Sequence, residues 1–222
     1  MRTVFVLMLI SMTTACKSTP EDDIEYFPEG VEGFDASVPD GGIEEPVAEC
    51  LDGYPRFNNN FSPAFGGKER VDVEVVAFVS FYCPHCADFA AYSKGLWRDR
   101  TDFQDRARLY IHHASYYFRH RAAVAAMNQG EGYFWELHDY IYGGLLMDAP
   151  MPDEEIIAFV QDDLKLDMDR FNADLESDET YAFLKWDYTQ GKNAGVTATP
   201  TVLVCGKAIN WTKLGDKVAD EL

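Results

Sequence analysis

The pattern of hydrophobic and polar residues predicts alternating strands and helices from about residue 71 onwards. The run from Val73 to Tyr82 is apolar and β-branched enough to form a buried strand, and both of its faces become apolar toward its C-terminal end. Such a strand is typical of a sheet that helices cover on both sides. A helical pattern to about Arg100 and a strand pattern over 107–113 follow. This segment therefore predicts a βαβ unit with a right-handed crossover.

Helical periodicity dominates the middle of the chain, and strand patterns return near its C-terminal end. Helices are predicted at about 118–129, 132–143, 153–164, 167–175 and 178–193. A strand over 201–205, a turn, a second strand over 208–211 and a helix over about 212–222 follow. The pattern therefore predicts an α/β domain that an all-helical segment interrupts.

The first 15 residues predict a signal peptide. A basic start, Met1-Arg2-Thr3, precedes an apolar run from Val4 to Met12 that is too short to span a bilayer as a mature helix. Thr13-Thr14-Ala15-Cys16 resembles a bacterial lipobox, although Leu is usual at the position of Thr13. We therefore expect lipidation at Cys16, with the protein exported to the periplasmic side of a bacterial membrane. The alternative is cleavage after Ala15, which leaves a soluble exported protein.

Residues 16–49 predict a disordered acidic tether. Between Lys17 and Cys50 there are eleven acidic residues and one Lys, with several Pro and Gly and no apolar periodicity. The whole chain has 38 acidic and 19 basic residues, a net charge of −19. This charge argues against nucleic acid or an anionic membrane surface as a partner, so the lipid anchor is the only membrane contact that we expect.

The motif Cys83-Pro84-His85-Cys86 lies between the predicted strand and the helix that follows it. This position puts the Cys83 sulfur at the exposed N-terminus of a helix, where unpaired backbone N–H groups and the helix dipole stabilise a thiolate. His85 adds partial positive charge, which is expected to lower the pKa of Cys83 further. We therefore expect a redox site. An inert disulfide or half of a zinc site is the alternative, but a structural zinc needs about four ligands and the chain has no second Cys-x-x-Cys.

Two further cysteines remain once Cys16 is assigned to lipid and Cys83 with Cys86 to redox chemistry. In an exported, oxidising context, Cys50 and Cys205 are expected to form a structural disulfide. The alternative is a buried Cys205 that packs as a small hydrophobic residue and a free thiol at Cys50.

The histidines outside the motif are expected to pack rather than to react. His112 and His113 alternate on a predicted strand and so face opposite sides of the sheet, while His120 falls in the first turn of a helix. His138 belongs to a helix rich in aromatic residues. None has a spacing that indicates a nucleophile–base pair or a metal site, and no cofactor or metal is expected.

The order of strand, Cys-Pro-His-Cys, helix, strand, helical segment, Thr-Pro-Thr, hairpin and helix resembles the DsbA-like thiol:disulfide oxidoreductases of the thioredoxin superfamily. The similarity covers about residues 60–222. Besides the cysteines, it rests on three short motifs: Asn128-Gln129-Gly130, Phe134–Asp139, and Gly195-Val196 with Thr199-Pro200-Thr201. The resemblance implies an α/β thioredoxin fold with an inserted all-helical domain. Residues 50–115 and 195–222 then form the thioredoxin fold, and residues 116–194 form the insertion.

The resemblance also implies a mechanism. Thr199-Pro200 is expected to be cis and to pack beside the disulfide, where the Thr199 backbone pairs with a substrate strand. A substrate thiolate then attacks Cys83 and expels Cys86, so the redox-active disulfide needs no separate cofactor. Thiols and disulfides of exported proteins are the implied substrates, and a quinone-linked membrane partner regenerates the enzyme.

One departure from the family pattern concerns proton transfer. Thioredoxin-like enzymes commonly carry a buried acid six residues before the first cysteine, and this chain has Ala77 there. Glu74 lies on the opposite face of the strand and cannot substitute for it. The direction of exchange therefore stays open between an oxidase and a reductase or isomerase. A tethered peptide- or metal-binding module with little redox turnover is the alternative of another class.

Overall fold

The computed structural model describes residues 48, 50, 57, 59, 61–149 and 151–222, and the backbone of residues 16 and 17. The predicted signal peptide and nearly all of the predicted tether therefore lie outside the described residues. The described part of the chain contains the strands β1 (Cys16–Lys17), β2 (Ala64–Gly66), β3 (Val73–Val79), β4 (Ala107–His113), β5 (Ala198–Thr199), β6 (Thr201–Val204) and β7 (Lys207–Ile209).

The helices fall into two groups, those that flank the sheet and those of the inserted segment. The first group comprises α1 (Pro84–Asp99), α2 (Thr101–Arg106), a 3₁₀-helix over Trp211–Lys213 and α8 (Leu214–Glu221). The insertion comprises α3 (Phe118–Met127), α4 (Glu131–Leu146), α5 (Asp153–Ala158) with its π-helical continuation over Phe159–Asp163, α6 (Met168–Leu175) and α7 (Asp178–Asn193). None of the helices in the described part of the chain is long and apolar enough to span a bilayer.

The central sheet has the strand order β2-β4-β3-β6-β7. Strands β3 and β4 run parallel, with Val73 opposite Ala107, and β6 runs antiparallel to β3, with Thr201 opposite Phe78. All seven residues of β3 are buried, as the predicted cover of helices on both faces requires. The thioredoxin-like α/β fold with a helical insertion is therefore confirmed. The central strand ends where the Cys-x-x-Cys motif begins.

The element boundaries differ from the predictions in a few places. Strand β3 ends at Val79 rather than Tyr82, because the chain turns there and the Cys83 amide donates to the Ser80 carbonyl at 3.0 Å. Strand β2 is not among the predicted elements, and it is held by antiparallel pairing with β4. Gly66 ends this strand with a positive φ of 92°, and a Cβ atom there would lie 2.2 Å from the Ala107 carbonyl oxygen.

The main hydrophobic core joins one face of the sheet to α1 and to the inserted helices. Val75, Ala77 and Val79 of β3 contribute to it together with Phe89 of α1 and Phe134 of α4, and all five are buried. The insertion therefore shares a core with the sheet. Such a shared core holds the inserted helices in place beside the loop that follows β3.

A disulfide links the segment before the sheet to the end of β6. The sulfurs of Cys50 and Cys205 are bonded, and their Cα atoms are 5.4 Å apart across a sequence separation of 155 residues. Both residues also bond to the chain around the start of β3, since the Cys50 amide donates to the Asp72 carbonyl and the Cys205 amide donates to the Glu74 carbonyl. The link therefore ties residue 50 to the middle of the sheet.

Four fully buried polar side chains connect β4 to the insertion. His113 Nδ1 and His120 Nδ1 are 2.9 Å apart, and His112 Nδ1 lies 2.7 Å from Asp187 Oδ1. The Asp187 carboxylate also accepts a hydrogen bond from the His113 amide at 2.7 Å. Burial lowers the pKa of His113 to about 4 and lowers the pKa of His120 well below its ordinary value, so both rings are neutral at pH 7.

Loss of the Cys50–Cys205 bond should lower the free energy of unfolding by about 2–5 kcal/mol, because a long loop is then free in the unfolded chain. Urea unfolding of Cys50→Ala, Cys205→Ala and the double variant measures this change. Each single substitution already breaks the link. The double variant should therefore lose no more free energy of unfolding than the single variant with the larger loss. Additive effects of the two single substitutions would contradict the pairing.

Stability should also fall as the pH decreases from about 6.5 to about 4. The unfolded chain binds a proton at His113 below its ordinary pKa of 6.5, whereas the folded protein does so only near pH 4, so acid favours unfolding across this window. His113 alone should account for up to about 3 kcal/mol, since one pKa unit corresponds to about 1.4 kcal/mol.

Urea unfolding at several pH values between 7.5 and 4.5 tests this expectation. The variant His113→Asn keeps an acceptor for the His120 ring and removes the titrating group, so its stability should depend less on pH in this window. An unchanged slope in this variant would show that His113 is not the group responsible.

Candidate active site

The Cys-x-x-Cys motif lies at the N-terminus of α1. Cys83 is the N-cap residue, and its carbonyl accepts hydrogen bonds from the amides of Cys86 and Ala87 at 3.0 and 3.3 Å. Pro84 occupies the first helical position, where a missing N–H costs nothing. The Cys83 sulfur therefore belongs to the end of a 16-residue helix at which free amides and the helix dipole favour a negative charge.

A distant loop lies against the Cys83 sulfur. The Thr199–Pro200 peptide bond is cis, and the Cys83 thiol donates to the Thr199 carbonyl at 3.3 Å although the two residues are 116 positions apart. The expectation of an exposed sulfur is wrong in this structure, since Cys83 is only 2% exposed. The contact with the Thr199 carbonyl accounts for part of this burial.

The same loop also pairs with the start of the described chain. Strand β1 runs antiparallel to β5, with Cys16 opposite Thr199 and Lys17 opposite Ala198. The backbone beside Cys83 is therefore an edge that can accept an extended segment.

Cys86 differs sharply from Cys83 in its surroundings. It is fully buried, and its sulfur accepts a hydrogen bond from the Ser80 amide at 3.4 Å. Burial raises the pKa of Cys86 well above its ordinary value, and the hydrogen bond and charge of Cys83 raise it further. Both cysteines are thiols in this structure. The raised pKa keeps Cys86 protonated at neutral pH.

The other two residues of the motif lie at the surface. Pro84 is exposed, and the side chain of His85 is 43% exposed. His85 Nδ1 lies 3.6 Å from Asp88 Oδ2, one turn further along α1. The imidazole is therefore within reach of a substrate that approaches Cys83, and its nearest charged neighbour is a carboxylate.

Helix α3 of the insertion holds the loop that leads into the motif. His120 Nε2 accepts the hydrogen bond of the Phe81 amide at 3.1 Å, and an Arg119 nitrogen donates to the Phe81 carbonyl at 3.0 Å. The Arg119 guanidinium also lies 4.4 Å from the centre of the Tyr82 ring. These positioning residues were missed by the sequence reasoning, which expected His120 only to pack. No spacing in the sequence connects residue 81 with residue 120.

The position at which thioredoxin-like enzymes commonly carry a buried acid is occupied here by Ala77, in an apolar part of the fold. Ala77 is fully buried in β3, and Glu74 accepts a hydrogen bond from the Asn59 side chain at 2.9 Å near the opposite end of the strand. Besides burial, the groups that act on the pKa of Cys86 are Cys83, Ser80 and Thr199. The described residues also contain no cluster of three or more His, Cys, Asp or Glu that could hold a metal ion.

Curated relatives share similarity with most of the folded part of this chain. A probable disulfide bond formation protein D from Bacillus anthracis is 26% identical over 154 residues, which is 65% of this chain and 70% of that protein. A Na(+)/H(+) antiporter NhaA from Herminiimonas arsenicoxydans is 30% identical over 148 residues. That match covers 64% of this chain but only 22% of the antiporter.

Solved structures and a family model cover the same region. BdbD from Bacillus subtilis superposes with a TM-score of 0.62 at 17% identity, over 80% of this chain and 98% of that one. A thioredoxin-like oxidoreductase from Silicibacter pomeroyi superposes with a TM-score of 0.60 at 24% identity, over 73% of this chain and 93% of that one. The thioredoxin family model matches residues 60–219, which include both cysteines of the motif and the Thr199-Pro200 loop. The chain therefore belongs to the thioredoxin superfamily and is DsbA-like within it.

Proposed function

We propose that this protein exchanges disulfides with exported proteins through Cys83 and Cys86. The observation that carries the proposal is the position of the Cys83 sulfur, which lies at the N-terminus of α1 and 3.3 Å from the Thr199 carbonyl. The first feature favours a thiolate, and the second places that thiolate beside a backbone edge that can bind a peptide.

The exchange starts from the oxidised form, in which Cys83 and Cys86 are bonded. A substrate thiolate attacks the Cys83 sulfur, the bond between the two cysteines breaks, and Cys86 leaves as a thiolate. Because burial raises the pKa of Cys86, this thiolate takes up from water the proton that the substrate thiol released, which disfavours the reverse attack. A second substrate thiolate then attacks the substrate sulfur of the mixed disulfide. The products are a substrate disulfide and the Cys83 thiolate.

The edge of β5 is the proposed binding site for the substrate strand. Antiparallel pairing of β1 with Ala198 and Thr199 supports this assignment, because an extended backbone already lies along this edge. Main-chain hydrogen bonds of this kind bind peptides of many sequences, which suits an enzyme with varied substrates. His85 and Pro84, both at the surface, would then contact the substrate next to the reacting sulfur.

The proposed direction is oxidation of the substrate. A Cys83 thiolate that the helix stabilises makes the reduced enzyme the favoured form, and its disulfide is then a strong oxidant. The similarity to a probable disulfide bond formation protein supports this direction. Regeneration requires an oxidising partner, for which a membrane protein on the exported side is the proposed class.

Single cysteine variants test the roles of the two sulfurs. Cys83→Ser should reduce the rate of oxidative refolding of a reduced test protein to the uncatalysed rate, because the attacked sulfur is gone. Cys86→Ser should instead accumulate a mixed disulfide between Cys83 and the substrate, visible by non-reducing mass spectrometry. The variant Cys50→Ala/Cys205→Ala is the control and should keep its activity.

Refolding activity that survives Cys83→Ser would exclude the proposed chemistry and favour a peptide-binding module. The reduction potential separates the two directions of exchange. A value near that of DsbA, about −120 mV, agrees with an oxidase, whereas a value near that of thioredoxin, about −270 mV, would indicate a reductase.

We also propose that the protein is exported and anchored by lipid at Cys16. Expression of the full chain in a bacterium fed with labelled palmitate should give a labelled protein in the membrane fraction, and Cys16→Ser should remove both the label and the membrane association. Cys50→Ala is the matched control and should keep both. An unlabelled wild-type protein in the soluble periplasmic fraction would contradict the anchor while leaving the redox proposal intact.

A further inference from the structure

A cavity of about 540 Å³ lies between α1, α4 and residues of β2, β3 and β4. Its walls are mostly aromatic and aliphatic side chains: Phe65, Phe89, Trp97, Ile111, Trp135 and Tyr142. The volume is within the range of about 300–1,000 Å³ that is typical of binding sites for small molecules. The proposed exchange between Cys83 and Cys86 does not use this space, although Trp135, His138 and Asp139 of the family-like motif line it.

The aromatic walls of the cavity are held in place by contacts with one another and with the backbone. The ring of Phe65 makes edge-on contacts with Trp97 and Trp135, with centroids 5.4 and 5.2 Å apart. Trp97 is fixed further, because its indole N–H donates to the Ala107 carbonyl at 3.1 Å. Rings with such contacts cannot move inward without losing them, so the space does not close by simple repacking.

The rim of the cavity is basic, in contrast to the chain as a whole. Lys68, Lys94 and Arg98 surround it and are exposed, and Asp139 is the one carboxylate among its lining residues. Asp139 pairs with Lys94, and Arg98 pairs with Asp99, whereas Lys68 has no ion-pair partner within the described ranges. In a protein with twice as many acidic as basic residues, this rim instead brings three cationic side chains together with one carboxylate.

Two polar side chains in the walls add to this arrangement. His138 is 5% exposed, its ring lines the cavity, and its Nδ1 atom is 3.2 Å from Asp139 Oδ1. Ser93 is buried in α1 and also lines the cavity. An apolar interior with few polar groups and a charged mouth is the arrangement that binds an amphiphile, with its tail inside and its head at the rim.

We infer that this cavity binds a single-chain amphiphile with an anionic head group, of the class of the fatty carboxylates. The alkyl tail would lie among the aromatic rings, where burial of each methylene group is favourable, and the carboxylate would lie beside Lys68 and Arg98. The inference does not rest on the redox proposal, because neither cysteine lines the cavity.

Titration of the full-length chain with dodecanoate, below its micellar concentration, tests the inference. Calorimetry and the fluorescence of Trp97 and Trp135 should both show saturable binding of one molecule per chain. Dodecan-1-ol has the same tail without the charge and should bind about tenfold more weakly, and acetate should not bind.

Matched variants locate the site. Lys68→Glu should weaken dodecanoate binding about tenfold, whereas Lys217→Glu, an equal charge change on exposed α8, should leave it unchanged. Ser93→Phe places a ring in the cavity and should abolish binding of both long-chain probes. Ala90→Phe, at a half-buried position of the same wall, serves if Ser93→Phe does not fold.

Three results would overturn the inference. They are the absence of saturable dodecanoate binding, equal effects of Lys68→Glu and Lys217→Glu, and full binding in a folded variant that fills the cavity. A fourth such result is binding that appears only after Tyr26→Ala/Phe27→Ala, two aromatic residues of the predicted acidic tether, since the tether would then be the occupant. The rate of disulfide exchange, measured in parallel, reports on the redox proposal separately.

Discussion

The contact between the Cys83 sulfur and the Thr199 carbonyl is the constraint on which the rest of the structure depends. It joins the start of α1 to a loop 116 residues later in the chain, so it exists only if the two parts of the thioredoxin fold come together around the insertion. Central strand β3 makes this closure possible, because it pairs with β4 on one side and with β6 on the other. The reacting sulfur is therefore held by the topology of the sheet and by no single local motif.

The inserted helices cover the core and also position the loop that precedes Cys83. Arg119 and His120, at the start of α3, bond to the carbonyl and the amide of Phe81, two residues before Cys83. His120 can accept the bond from the amide only while its Nε2 atom is unprotonated, and its complete burial keeps it so at neutral pH. The geometry of the redox loop is thus coupled to a buried group of histidines that the exchange reaction itself never touches.

Much of the fold was predictable because its signals are local in the sequence. The apolar run before Cys83 predicted the central strand, and helical periodicity predicted α7 with its observed bounds of Asp178 and Asn193. The three residues of β2 carry no such signal, since their strand form depends on pairing with β4. The same distinction between local and tertiary signals applies to the active site. The spacing of Cys83 and Cys86 identifies them in the sequence, whereas the roles of Arg119 and His120 arise only from tertiary packing.

The pairing of β1 with β5 has a consequence for the proposed binding of substrate peptides. A peptide that docks on the Thr199 edge must first displace the backbone of Cys16 and Lys17 from it. Because this competitor is part of the same chain, its effective concentration is fixed by the connecting segment and does not fall on dilution. Under the proposed function, peptides that pair with this edge less well than the chain's own strand are therefore excluded at any protein concentration.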